Sequence, residues 1–284
     1  QGLDGVQLLI APPQFRALLS LRAVLYWAFM LLWWAALTSM PVGDATAIVY
    51  CAPLFTAAFA KALLGETPNA VVPLCLVLSS VGVILVIQPS FVFGAATAAG
   101  STDGYQAGAL CSLASAVVAG LLPIAVRKSS RCHWTTVEHM TSALSSFVLT
   151  PCAIAAWTTS DPAGGVAMRD ALHALWADGG GAVPWRLLAV LLVSCLEFGG
   201  LALQTVGYQM VESTAAASVM NYLEIPFVFV LQVVFFQESV GLLKLVGVGL
   251  ILLGGAANTL HEPIVACASS CLGRLPKAAR VQPS

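Results

Sequence analysis

Residues 44–66 read DATAIVYCAPLFTAAFAKALLGE, and this stretch decides the fold. From Ala45 to Leu64 it is apolar on every side, broken only by Thr46, Thr56 and Lys61. A bilayer core requires about 20 mostly apolar residues per helix, and this run supplies them. A membrane strand would alternate apolar and polar residues over about 10 positions. All-round apolarity instead means a helix, which satisfies its own backbone in lipid. Pro53 sits in mid-run and removes one backbone donor. Gly65 closes the helix, and Glu66 follows.

Seven further runs meet the same test. The eight expected spans are 18–38, 44–64, 70–88, 107–126, 137–157, 187–209, 215–236 and 241–260. Composition agrees: 284 residues, 59% hydrophobic and 9% charged, with a mean hydropathy of +0.90. A soluble domain carries about 25% charged residues, so an ordinary soluble enzyme is excluded. Twelve basic residues against 13 acidic ones, with no dense basic run, exclude a nucleic-acid partner. The expected class is all-α, a polytopic transmembrane helix bundle whose solvent is the lipid bilayer.

Short links force antiparallel neighbours. Residues 41–43, 65–69 and 210–214 are such turns. Residues 89–106 form a longer Ala/Gly/Ser/Thr-rich linker, and 158–186 carry Met168, Ala171, Leu172, Leu175 and Trp176 at helical spacing, the pattern of a short interfacial helix. Lys and Arg set the orientation. Arg16, Arg127, Lys128, Arg131, Arg274, Lys277 and Arg280 fall on one side, with Arg22 and Lys61 near it; Arg169 and Arg186 fall on the other. The first side, with the tail 261–284, is expected to be cytoplasmic. The organelle is not encoded in these residues. The chain begins at Gln1 rather than Met, which reads as a fragment.

Two stretches match at an offset of 172 residues, Ala35–Pro89 and Gly207 to the end of the last run. Glu66 to Gly82 and Glu238 to Gly254 are each 16 residues apart. Pro53 and Pro226 match to within one residue. The copies are displaced by five spans, an odd number, so they run in opposite senses through the membrane. Inverted repeats are a signature of alternating-access transporters.

At these residues the chain resembles a known family. Pro41-Val42-Gly43-Asp44-Ala45-Thr46, Cys51-Ala52-Pro53-Leu54-Phe55-Thr56, Leu64-Gly65-Glu66 and Gly82-Val83-Ile84-Leu85 are similar to the end of an EamA domain, which defines much of the drug/metabolite transporter superfamily. The flavour is that of the G-type members of solute carrier family 35. The resemblance implies ten helices in two inverted halves with cytoplasmic termini. It therefore implies that the first two helices precede this sequence. The expected domains are a partial first repeat at 1–88, the linker 89–106, a second repeat at 107–260 and the tail 261–284. The run Asn221-Tyr222-Leu223-Glu224-Ile225-Pro226 departs from the generic pattern and assigns no substrate.

An ionisable group at mid-bilayer costs roughly 2.5–3.5 kcal/mol on insertion scales, so intramembrane charges are the informative residues. Arg22, Lys61 and Lys244 are expected to snorkel toward the interface. Asp44 and Glu138 suit helix starts. Glu197 and Glu224 lie deep in their runs on short side chains. Ser194, Glu197, Gln204 and Tyr208 make one polar stripe, and Asn221 and Tyr222 accompany Glu224. Glu197, Glu224, Asn221, Tyr222, Gln204 and Tyr208 are therefore candidates for substrate binding or coupling around a common cavity. Lys61 is a candidate carboxylate partner. The competing reading is structural: carboxyls that hold helices together. Gly199-Gly200 and Gly247-x-Gly249 suit close helix approach.

No zinc spacing, HExxH, phosphate loop or GxSxG occurs, so no metal, cofactor or enzymatic activity is expected. The expected function is secondary transport of a small polar metabolite by alternating access, driven by a proton or counter-substrate. A homodimer is compatible with it. The alternative is a non-transporting integral membrane partner of the same fold.

Overall fold

The computed structural model describes residues 11–93, 102–152, 154–155, 185–236 and 241–273. The described residues are helical, with no strand among them. In chain order the helices are α1 (Pro13–Ser39), α2 (Val42–Val49), α3 (Ala52–Phe59), α4 (Val71–Ile87), α5 (Ser90–Phe93), α6 (Thr102–Lys128), α7 (Trp134–Leu144), α8 (Trp185–Met210), α9 (Thr214–Val219), α10 (Glu224–Phe236) and α11 (Leu242–Gly273). Six stretches among the described residues are long and apolar enough to cross a membrane: Pro13–Ser39, Val42–Leu64, Gly104–Lys128, Leu187–Met210, Thr214–Phe235 and Leu242–Leu260.

Two of the eight expected spans take another form. The third is a shorter apolar helix, the 17-residue α4. The fifth begins as α7 and changes winding to a π-helical turn at Ser145–Leu149. Helix α11 continues past the expected end at 260 to Gly273. The expected interfacial helix at 168–176 and most of the N-terminal segment lie outside the described residues.

Local chemistry explains the boundaries. Gly65 adopts φ +70°, the left-handed conformation that ends a helix, and the Glu66 N–H returns to the Ala60 carbonyl at 3.2 Å. Gln88, also left-handed, closes α4 ahead of Pro89. The second expected span is split between α2 and α3. Pro53 has no N–H for the Val49 carbonyl, and the Leu54 N–H bonds Cys51 rather than Tyr50 (3.0 Å). In the second copy α9 tightens into a 3₁₀ turn at Met220–Leu223 before α10. That turn precedes Pro226 as the first break precedes Pro53. The two irregularities correspond at the 172-residue offset, with Tyr50 and Tyr222 at equivalent places.

The described chain forms two compact units. The first comprises Gln1–Leu32 with Leu121–Glu212, and the second Trp33–Gly120 with Ser213–Ser284. In the first unit, Leu19 packs with Cys132 and Val137. Arg127 donates to the Gln209 carbonyl at 3.2 Å and to the Glu212 carbonyl at 3.3 Å.

The second unit is organised by contact between α4 and α11. A Cβ added at Gly82 would lie 2.6 Å from the Gly247 carbonyl oxygen, and one at Gly247 would lie 2.7 Å from that of Gly82. These are repeat-linked helices in backbone contact, which only glycine permits at this separation. The expectation of close approach holds at Gly247 but not at Gly199, Gly200 or Gly249. Those three have no neighbour within 4 Å of an added Cβ among the described residues. Asp44, in the first turn of α2, is buried and accepts from the Ser90 N–H (2.6 Å), the Ser90 hydroxyl and the Tyr105 hydroxyl (2.8 Å). It ties α2 to α5 and α6, a larger task than the helix-start role expected of it.

Gly82→Ala should destabilise the protein by about 1–3 kcal/mol through overpacking against Gly247. Gly249→Ala should be neutral or mildly stabilising, because alanine is the better helix former. Thermal unfolding in detergent checks both; equal effects would contradict the α4–α11 contact.

Candidate functional site

Arg22 of α1 is buried, not snorkelled as its position near a span end suggested. Its Nη2 pairs with the Glu138 carboxylate at 2.7 Å, with both side chains almost inaccessible. Its Nη1 bonds the Thr141 hydroxyl, and Thr205 donates to Glu138. The sequence signal for this pair was weak, because Arg22 and Glu138 are far apart in the chain and each lies near a span end, where a lone charge is tolerated. Together they form a buried charge pair held in a hydroxyl cage. Such a pair is stable only when its remaining hydrogen-bonding capacity is also met.

A cavity of about 340 Å³ opens beside the pair. Its wall combines Arg22 and Tyr26 of α1, Glu138, Thr141 and Ser142 of α7, Ser145 and Ser146 of the π turn, and Ser194 and Glu197 of α8. The π turn brings both Ser145 and Ser146 to the wall, a local winding that is frequent at functional sites. The Tyr26 hydroxyl bonds Glu197. The Arg22 Nε and Ser145 Oγ are buried with no hydrogen-bond partner among the described residues. Beyond the Arg22–Glu138 pair, Glu197 is the further carboxyl of the lining. The arrangement offers a carboxylate, a guanidinium and several hydroxyls in an otherwise apolar helical unit. It suits a small polar ligand.

Of the stripe expected on α8, Ser194 and Glu197 reach this cavity. Gln204 is exposed, and Tyr208 is buried among its neighbours.

Glu224 belongs to the second unit and opens α10. It is exposed and bonds the Tyr50 hydroxyl from the opposite repeat copy. Tyr50 lines a second cavity, of about 280 Å³, with Thr46, Phe229 and Lys244. Asn221 is half-buried in the 3₁₀ turn, and Lys61 is exposed in the π turn after α3. Tyr222 does not join Glu224. It is fully buried, with its hydroxyl 2.8 Å from Ser80 Oγ on α4. Sequence reasoning missed Tyr26 and Tyr50, the partners of the two carboxylates. The repeat offset that equates Tyr50 with Tyr222 was the available signal.

Removing one member of the buried pair strands the other. Arg22→Met should cost about 3–5 kcal/mol, and Arg22→Met with Glu138→Met should recover most of it. Unfolding midpoints in detergent, arranged as a double-mutant cycle, test this; additive losses would show that the two groups act independently.

Known proteins add to this geometry. Residues 4–88 match the EamA-like transporter family. Solute carrier family 35 member G1 from Homo sapiens is 27% identical over 234 residues, covering 81% of this chain and 58% of that protein. The Mus musculus protein of the same name is 26% identical over 235 residues, with the same shares. The chain thus spans little more than half the length of the curated relatives it matches. A protein solved by crystallography superposes with a TM-score of 0.62 at 18% identity, covering 90% of this chain and 79% of its own, a likeness of fold alone. The chain is thus an integral, multi-pass membrane protein whose residues 4–88 resemble the EamA-like transporter family and whose sequence is similar to solute carrier family 35 member G1.

Proposed function

We propose that the protein is a secondary transporter of a small polar metabolite that works by alternating access. The observation that carries this reading is the cavity holding Arg22, Glu138, Glu197 and the serine hydroxyls inside a unit built from membrane-length helices. Polar groups in lipid are costly and are retained where they bind or move something. Glu197 is the group that meets substrate or proton in the first unit. Glu224, held by Tyr50, does so in the second. Gln204 on α8, Asn221 in the 3₁₀ turn before α10 and Lys61 in the π turn after α3 contribute secondary hydrogen bonds or charge.

Sidedness follows from the Lys/Arg distribution, with the tail in the cytoplasm. Within the second unit, Glu66 of the 65–69 turn bonds Thr214, which pairs two turns expected on that same side. The two repeat copies, at 1–88 and within 107–260, supply the inverted halves.

Proton-linked uptake into proteoliposomes, screened against metabolite pools under an imposed pH gradient, tests the reading. Glu197→Gln should fold normally and lose that uptake, because the amide keeps shape and hydrogen bonding but exchanges no proton. Glu224→Gln should do the same, while Glu224→Leu should also lower the yield of folded protein. Full proton-driven uptake by either Gln variant removes the coupling role from that residue. Absence of uptake by the unaltered chain across all pools would favour the non-transporting membrane partner.

A further inference from the structure

The cavity of the first unit is walled by oxygen from two helices that pack together, α7 and α8. On α7 and its π turn, Ser142, Ser145 and Ser146 stand at i, i+3 and i+4, the spacing of one helix face. Ser194 and Glu197 of α8 stand three residues apart and line the same cavity. Ser142, Ser146 and Ser194 are exposed on this wall. The Ser145 Oγ is buried and has no hydrogen-bond partner among the described residues. A buried oxygen left in that state is costly, so the wall is incomplete by itself.

The π turn adds a main-chain oxygen. In an α-helix the Thr150 N–H would bond the Ser146 carbonyl; here it bonds the Ser145 carbonyl instead. The wider π pattern would draw the next donor from residue 151, which is a proline and has no N–H. The Ser146 carbonyl therefore keeps neither helical donor, at the turn that places Ser145 and Ser146 on the wall. In broken membrane helices, carbonyls released in this way coordinate Na⁺.

We infer that this cavity holds a hard monovalent cation, Na⁺ or K⁺. Its ligands are the Ser146 carbonyl, the hydroxyls of Ser142, Ser145 and Ser194, and the Glu197 carboxylate. The donor set is all oxygen, which suits a hard cation rather than a transition metal. One carboxylate among neutral oxygens matches a single positive charge, whereas calcium sites gather several carboxylates. Glu138 does not supply a second one, because it is held by Arg22 at 2.7 Å and by Thr205. A carboxylate has two oxygens, so Glu197 can accept from Tyr26 on one and meet the ion with the other. The unpartnered Arg22 Nε is a donor, and an oxygen of a polar ligand beside the ion satisfies it. This inference rests on the reading of the cavity as a ligand site, and its test uses no substrate.

The probe is the salt itself. Thermal unfolding of the purified chain in detergent is followed at constant ionic strength while NaCl or KCl replaces choline chloride. The expected result is a saturable rise of the midpoint by a few degrees with one of the two alkali ions, measured against choline. Ser145→Ala and Ser194→Ala, one from each helix, should each raise the half-saturating concentration at least about tenfold, the scale of one contact to a charged group. Glu197→Gln should abolish the shift. Pro151→Ala returns an N–H to the π turn. It should raise the midpoint in choline and weaken the response to the ion, an opposition that a purely structural role would not produce. Normal gel-filtration elution and a cooperative transition in choline show that a variant is folded. Midpoints that do not distinguish Na⁺ or K⁺ from choline overturn the inference. So does a larger rise with CaCl₂ at about one-tenth the concentration, or an undiminished ion response in the serine variants or in Pro151→Ala. A saturable ion response in a chain that fails every uptake screen would leave the ion site standing and remove the transport reading. Uptake driven by a pH gradient, with no response to either alkali ion, would do the reverse.

Discussion

The break in the backbone ahead of Pro53, and its counterpart ahead of Pro226, is the constraint on which the second unit depends. A membrane helix ordinarily closes every hydrogen bond on itself. Proline withholds one donor, and the chain answers differently in the two copies. The first separates α2 from α3, with Leu54 bonding Cys51; the second tightens into a 3₁₀ turn. Either response places a tyrosine where the axis changes. Tyr50 then reaches Glu224 and Tyr222 reaches Ser80, so each break is tied to the opposite copy. A continuous helix would give these hydroxyls another direction. The glycine contact between α4 and α11 complements this. It fixes the straight helices at backbone distance.

Charge organises the first unit. Arg22 and Glu138 cost little near a span end if each faces water, and the sequence reading treated them so. The fold pairs them in a hydroxyl cage instead. Continuum reasoning holds that such a pair seldom stabilises a protein better than apolar side chains of the same size. Its retention is therefore better explained by what it does to the cavity. The pair supplies dipoles and donors at the wall of a cavity of about 340 Å³ that Glu197 also lines.

Helical class and most span positions were legible in sequence because they depend on local apolarity and counting. Gly65 as a helix stop was legible for the same reason. What was not legible depends on tertiary contact. Nothing local distinguishes a snorkelling Arg22 from a paired one, or Gly247, which touches Gly82, from Gly249, which touches nothing described. Tyr222 stands two residues from Glu224 in the chain, yet the 3₁₀ turn sends it to Ser80. Tyr26 and Tyr50 lie in apolar runs where an aromatic side chain ordinarily packs, so their carboxylate partners were invisible without the fold.

The two related segments of the second unit are packed differently: residues Val42 to Tyr50 line a cavity, whereas Thr214, Ala215, Ser218 and Tyr222 are buried. The contacts that distinguish the sides are few: Glu66 with Thr214, Ser218 with Pro53, Asn258 with Ala216, and Tyr222 with Ser80. Neutral hydrogen bonds between membrane helices average about 0.6 kcal/mol, and those to a charged group about 1.5–3 kcal/mol. Their sum is a few kcal/mol, enough to hold the side of Thr214 and Tyr222 packed while that of Val42 and Tyr50 lines a cavity.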